Sequence, residues 1–139
     1  MGRRIIFEVE GVEAAAELQE ELSPKTTEAF WNALPLDTTL MHAKWSGEVC
    51  FFRPGPGLAG ITELENPVTS IYPGTLVMRP RGTEALMAYG TGEYRWGIGV
   101  DYTTRLAKLV DNEETFLAVL RRMHEEGEKR IRVRRADGG

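Results

Sequence analysis

Met41-His42-Ala43-Lys44-Trp45-Ser46-Gly47-Glu48-Val49-Cys50-Phe51-Phe52 is the most informative run of the chain. It reads as a strand, a tight turn or bulge, and a second strand. Side chains of a strand alternate between faces, so an unbroken alternation would put His42, Lys44, Ser46 and Glu48 on one face. A base, a cation, a hydroxyl and a carboxylate would then line up beside the bulky Trp45. Such a polar row within an apolar hairpin is costly unless it faces water, a partner or a ligand. The Ser46-Gly47 pair is where the alternation would break, because glycine within a strand often marks a bulge.

Outward from this stretch, the chain continues as short segments of alternating character. Ile5 to Val9 is an apolar strand turned by Glu10-Gly11. Val12 to Leu22 fits a helix by its Ala and Glu content, or a strand by its closeness to the turn. Ser23-Pro24 opens a clearer helix, with Ser23 as N-cap and Pro24 in the first position. Phe30, Ala33 and Leu34 form its apolar face, and Pro35 ends it. Strands are expected at Thr39 to Trp45, Glu48 to Phe52, Val68 to Tyr72, Thr75 to Arg79, Glu84 to Tyr89 and Arg95 to Tyr102. Arg53 to Gly60 is a loop, Pro73-Gly74 a turn and Gly90-Thr91-Gly92 a flexible link. Asp111 or Asn112 caps a second helix, in which Phe116, Leu117, Leu120 and Met123 recur at helical spacing and Gly127 is the C-cap. Lys129 to Arg135 reads as a last strand, with 135–139 as a disordered tail. Many short strands with two helices indicate an antiparallel barrel or sandwich.

Length and composition bound the function. A chain of 139 residues suits one domain with its own core. Its 17 basic and 21 acidic side chains give a net charge of −4, which argues against nucleic acid as partner. The one cysteine, Cys50, precludes an internal disulfide or a thiolate zinc cluster, and its apolar surroundings suggest an inert thiol. No stretch approaches the roughly 20 apolar residues of a membrane span. The N-terminus lacks the apolar run of a signal peptide, and Ile6 occupies the position where myristoylation needs Ser or Thr. A cytoplasmic protein without membrane partner is expected.

Leu22-Ser23-Pro24-Lys25-Thr26-Thr27-Glu28-Ala29-Phe30 resembles the start of the first cyclophilin helix, where a strand runs into Pro-Lys-Thr and then an aromatic. Met41-His42 resembles the cyclophilin strand that carries Phe-His-Arg. The order strand, strand, Pro-Lys-Thr helix, His-bearing strand is also the cyclophilin order. A family of uncharacterised prokaryotic cyclophilin-like domains is more similar still, through the run His42 to Glu48 and the turn Tyr72-Pro73-Gly74. The resemblance covers residues 5 to 102. It implies a mainly β fold, a cyclophilin-like closed antiparallel β-barrel with two covering α-helices, and it favours strand for Val12 to Leu22. Prolyl isomerases of this superfamily place an arginine directly after the histidine; here the residue is Ala43, with Lys44 pointing to the other face.

The candidate catalytic residues are His42, Lys44 and Glu48. His42 suits a general base because imidazole titrates near neutral pH, and equally suits a hydrogen-bonded strand end. Lys44 and Glu48 read as an acid–base couple or as a surface ion pair. Ser46 reads as a nucleophile or a turn serine, and its context is not the Gly-x-Ser-x-Gly elbow. Tyr94, Arg95 and Trp96, beside the glycine link, are candidates for ligand binding, whereas Trp45 is expected in a core. Arg79 and Arg81 flank Pro80 and suit an anion or a solvated turn. Gly90-Thr91-Gly92 is too short for a dinucleotide fingerprint, and no cofactor is expected. Two histidines, His42 and His124, without ligand spacing give no metal site. Arg130, Arg132 and Arg134 read as the solvated face of an edge strand. Three functions follow. The first is binding of, or action on, a small amide- or carboxylate-type molecule, supported by cyclophilin-like domains in bacterial lactam- and urea-processing enzymes. The second is an assembly subunit or homo-oligomer joined through the basic edge. The third, disfavoured by Ala43, is prolyl isomerisation.

Overall fold

The computed structural model describes residues 2–136. It contains β1 (Arg4–Val9), β2 (Val12–Leu18), β3 (Leu36–His42), β4 (Gly47–Phe52), β5 (Pro67–Val68), β6 (Thr75–Met78), β7 (Ala85–Gly92), β8 (Arg95–Trp96), β9 (Gly99–Val100), β10 (Thr103–Asp111) and β11 (Lys129–Arg135). The helices are α1 (Pro24–Ala33), α2 (Glu113–Arg121) and α3 (Met123–Glu126). The order around the main sheet is β2-β1-β11-β3-β4-β7-β6-β10, and β10 pairs again with β2, so eight antiparallel strands close into a barrel. β5 extends one end of β10, and β8 with β9 forms a separate hairpin.

Closure gives each strand an inner and an outer face. Ile5, Phe7, Val9, Ala14, Ala16, Leu18, Ile131 and Val133 are buried at every second position and belong to the interior core. The helices complete that core: α1 inserts Phe30 beside Phe52, and α2 inserts Phe116 beside Phe7, at ring separations of 6.5 and 6.0 Å. Each such fully buried aromatic contributes about 1.5–3 kcal/mol of apolar transfer. A second, smaller cluster of Val49, Ile71, Val77, Leu86, Ala88 and Tyr94 covers the outer face of β4, β7 and β6. The covered outer face is where the candidate site lies.

The barrel follows the expected plan with local differences. Ser23 precedes α1 but does not cap it. Its hydroxyl donates instead to the Arg105 carbonyl at 2.6 Å, tying the helix start to β10. Asn112 likewise spends its amide on the Glu13 carbonyl rather than on α2, and the second helix breaks at Arg122 into α2 and α3. Val12 to Leu22 is strand only to Leu18. β10 was hidden because two bulges shift its register against β6 and β2, so its buried positions do not alternate. Arg95 to Tyr102 is not one strand but the β8–β9 hairpin. Gly90-Thr91-Gly92 is not a flexible link: it is the end of β7, and a Cβ on Gly90 would lie 2.2 Å from the Glu48 carboxylate. Arg135, expected in a tail, ends β11 and donates to the Trp31 carbonyl; residues 137–139 lie outside the described residues.

β11 is not an edge strand. It bonds β1 on one side and β3 on the other, so its backbone offers nothing to another chain. Its outward arginines are answered by carboxylates on β3, β1 and β2: Arg130 by Asp37, Arg132 by Asp37 and Glu8, Arg134 by Glu13.

Lys129, at the start of β11, links the β1–β2 turn to α3. Its ammonium lies 2.8 Å from Glu10 and 2.6 Å from Glu126, with only 6% of the side chain exposed. The hydrogen bonds from Lys129 hold both carboxyls below the usual carboxylate range and raise the lysine. For the carboxylates, the linked stability is fully present above their ordinary pKa and is lost as pH falls through the lowered one. For the lysine, it is present below the ordinary value and lost as pH rises through the raised one. Urea titrations from pH 7 to pH 3 should therefore show a smaller acid loss for Lys129→Met than for the unaltered protein. Parallel curves would mean that Lys129 contributes nothing to the acid limb.

Candidate functional site

The site follows from strand register. Met41 of β3 pairs with Phe51 of β4, and Phe51 pairs with Leu86 of β7. Residues paired across adjacent strands share a face, so these three side chains form one apolar row. Tyr94 and Trp96 face this row from the β7–β8 corner and β8, and Arg79 enters from the end of β6. Together they enclose an outer-face cleft of about 280 Å³.

The Arg79 guanidinium lies 4.3 Å from the centre of the Trp96 ring, within cation–π range. The same ring is fixed from its other polar edge, where Nε1 donates to Asp101 at 2.8 Å. Tyr94 is 1% exposed, and its hydroxyl donates to Glu84 at 3.2 Å. Burial, seconded by the Glu84 carboxylate, pushes that phenol up to about 12. Lys44, Arg79 and Arg95 line the cleft together with Glu84, and Asp101 stands at its edge on the Trp96 indole. Arg95 is paired with Glu93 at 3.2 Å. Among the described residues, no carboxylate lies within ion-pair distance of Lys44 or Arg79.

The expected polar stripe does not form. β3 stops at His42, residues 43–46 cross over, and the β4–β7 register shifts between Gly47 and Val49, so the alternation is broken at the Ser-Gly step. His42 borders the cleft, but its ring is held elsewhere. Nδ1 lies 2.8 Å from the Ala43 carbonyl and Nε2 2.7 Å from the Tyr89 hydroxyl. A carbonyl only accepts, so Nδ1 carries a proton and donates it to Ala43, while Nε2 and the Tyr89 hydroxyl share the second hydrogen bond. Lys44 is exposed. Ser46 is buried, accepting from the Arg95 amide at 3.1 Å, which makes it a pin for the β8 segment. Glu48 leaves the group altogether: it accepts from the Thr91 amide at 2.8 Å and meets Arg121 of α2 at 3.4 Å. Trp45 is 61% exposed rather than in a core, because it sits on the crossover instead of within a strand.

Of the other candidates, Arg81 is exposed and turns away at positive φ of 74°, leaving Arg79 alone in the cleft. His124 meets His42 ring to ring at 5.5 Å, and among the described residues no three potential ligands gather for a metal. Cys50 is buried and its thiol is pushed up to about 12 by desolvation, which agrees with an inert role. Nothing in the sequence pattern singles out Glu84 or Asp101; both come to the cleft only through the fold.

Residues 5–133 match the family described as protein of unknown function (DUF3830). The chain belongs to that family. Comparison with curated proteins finds no match. Among solved structures, this DUF3830 chain is similar to McbB, solved in complex with tryptophan, at 20% identity and TM-score 0.77. The match covers 97% of this chain but 45% of McbB, so the chain spans less than half of that protein. A hypothetical protein of Archaeoglobus fulgidus matches at 19% identity and TM-score 0.66, over 97% of this chain and 95% of its own. A cyclophilin-type peptidyl-prolyl cis-trans isomerase of Cryptosporidium parvum, solved in the presence of the dipeptide Ala-Pro, matches at 17% and 0.54, over 96% of each chain. These likenesses establish a cyclophilin-like barrel. Among the described residues no helix is long and apolar enough to cross a membrane.

The geometry around His42 makes a definite prediction. His42→Ala leaves the hydroxyl of the buried Tyr89 and the Ala43 carbonyl without their partner, so stability should fall by about 1–3 kcal/mol. Urea unfolding measures this; a midpoint and slope equal to those of the unaltered protein would contradict the assignment.

Proposed function

We propose that this barrel binds a small molecule with an aromatic or apolar body and a carboxylate, or an amide in its place, in the outer-face cleft. The observation that carries the reading is Arg79, stacked on Trp96 above the Met41–Phe51–Leu86 floor, with no carboxylate within ion-pair distance among the described residues. A stacked guanidinium is pre-ordered for bidentate capture of a carboxylate, and its apolar surroundings strengthen that bond. Lys44 and Arg95 add to the attraction at the rim. Tryptophan, in complex with which the structurally similar McbB was solved, combines the two chemical features the cleft offers to meet and is the natural first probe.

The competing readings have less to stand on. The assembly reading rested on an exposed basic edge strand, and β11 is bonded on both sides. Isomerisation needs a donor directed at the twisted peptide, and Ala43 brings only a methyl group to the outer apolar cluster.

Titration calorimetry with L-tryptophan, indole-3-acetate and indole tests the proposal. The two carboxylates should bind and indole should bind more weakly. Arg79→Ala should weaken the carboxylates by about 1.5–3 kcal/mol, on the order of tenfold to a hundredfold, with indole little changed. Arg79→Lys should fall between, because it keeps the charge and loses the fork. Equal affinities for all three probes would refute a carboxylate site.

Prolyl isomerisation of a Pro-containing peptide should proceed at the uncatalysed rate, set by a barrier of about 20 kcal/mol. Acceleration that copurifies with the protein and responds to Arg79→Ala or Arg95→Ala would overturn the assignment.

A further inference from the structure

The cleft has a neighbour. A second depression of about 400 Å³ lies over the start of β4 and the end of β7, and the two share Trp45, Ser46 and Arg95. Trp45 is thus a ridge between two compartments, which accounts for a tryptophan 61% exposed on a short crossover. The compartments differ in chemistry. The first has an apolar floor, two aromatic walls and Arg79. The second is wider and more open, with Trp45 as its apolar side, and it is edged by the hydroxyls of Ser70 and Thr91 and by the paired Glu93 and Arg95.

The floor of the second compartment is kept bare by glycine. Gly47 has φ +96°, and a Cβ there would lie 2.8 Å from the Thr91 carbonyl. Gly92 is closed to side chains as well, since its Cβ would come within 2.5 Å of Val49. This flat strip lets an amide-bearing chain lie close, and its hydrogen bonds fall to the Ser70 and Thr91 hydroxyls, because the Thr91 and Glu93 amides are already bonded to Glu48 and to the Ser46 carbonyl. At about 280 Å³ the first cleft is at the small end of ligand sites, commonly ~300–1,000 Å³, so an occupant larger than an amino acid must extend beyond it.

Resting on the carboxylate-site reading, we propose that the two compartments form one site for a short peptide-like molecule. Its C-terminal aromatic residue and free carboxylate occupy the first cleft, and its amide-linked polar arm passes Trp45 into the second. The direction follows from Arg79: with the carboxylate and the aromatic body both held in the first cleft, the amino end is the one free to extend.

The test compares L-tryptophan with the dipeptides Ser-Trp and Trp-Ser by titration calorimetry on the full chain. Ser-Trp should bind at least tenfold more tightly than L-tryptophan, and Trp-Ser should show no such gain. Ser70→Trp fills the second compartment from an exposed position; it should abolish the tenfold gain and leave L-tryptophan binding unchanged. Thr91→Trp, also at an exposed position, serves as the second filling variant, with melting curves as the check on folding. If L-tryptophan binds but Ser-Trp gains nothing, or if the gain survives both filling variants, the two-compartment inference is wrong while the carboxylate cleft stands. If none of the three probes binds, the cleft reading fails and takes this inference with it.

Discussion

Pairing of β2 with β10 converts a strip of strands into a barrel, and the rest of the molecule depends on that closure. Once the ring is closed, every strand residue is committed to the inside or the outside, and a one-residue change of register exchanges the two. Phe7, Leu18 and Phe52 go in, where the helices seal them. Met41, Phe51 and Leu86 go out, where they must be covered by something else or left for a ligand. Closure also removes the free edge that a basic strand such as β11 would otherwise present. The outward Arg130, Arg132 and Arg134 of that strand then act within the molecule, each facing a carboxylate on β1, β2 or β3, and exposed pairs of this kind are individually worth little.

Much of this was legible from residue pattern. The Pro24 start of α1, the Phe116–Leu120–Met123 stripe over the second helix and the alternation in Ile5 to Val9 each specify their element through local chemistry. The Pro-Lys-Thr and His-bearing segments gave the barrel and its order. What escaped was set by tertiary context. β10 is nine residues long and central, yet its two bulges destroy the period that marks a strand. Ser23 looks like a cap because its type is right, but a buried carbonyl of β10 competes for its hydroxyl and wins. Gly90 and Gly92 look like a hinge, although they are small because Glu48 and Val49 occupy the space their side chains would need.

The site was legible in its members more than in its arrangement. Lys44, Ser46, Tyr94, Arg95, Trp96 and Arg79 do converge, and the break at Ser46-Gly47 was visible as a bulge signal. The polar stripe failed at that same break. It sends Glu48 to Arg121 and Thr91, and it leaves His42 bonded to Tyr89 and the Ala43 carbonyl. The histidine that dominates the sequence is therefore tied into the barrel, while the arginine that the sequence leaves ambiguous is the one facing open space. A shared fold does not transfer a reaction; in this barrel the position after the histidine carries a methyl group, and the cation stacked over the cleft is Arg79, at the end of β6.

The central claim is that recognition occurs on the outer face around Arg79 and Trp96, not around His42. The most direct measurement is amide and indole chemical-shift mapping of the labelled protein during titration with L-tryptophan. Saturable shifts should concentrate at the Trp96 indole N–H, Tyr94, Arg95 and Arg79, with Tyr89 and His124 unmoved. Shifts confined to His42, Tyr89 and His124, with the Trp96 indole unchanged, would contradict it.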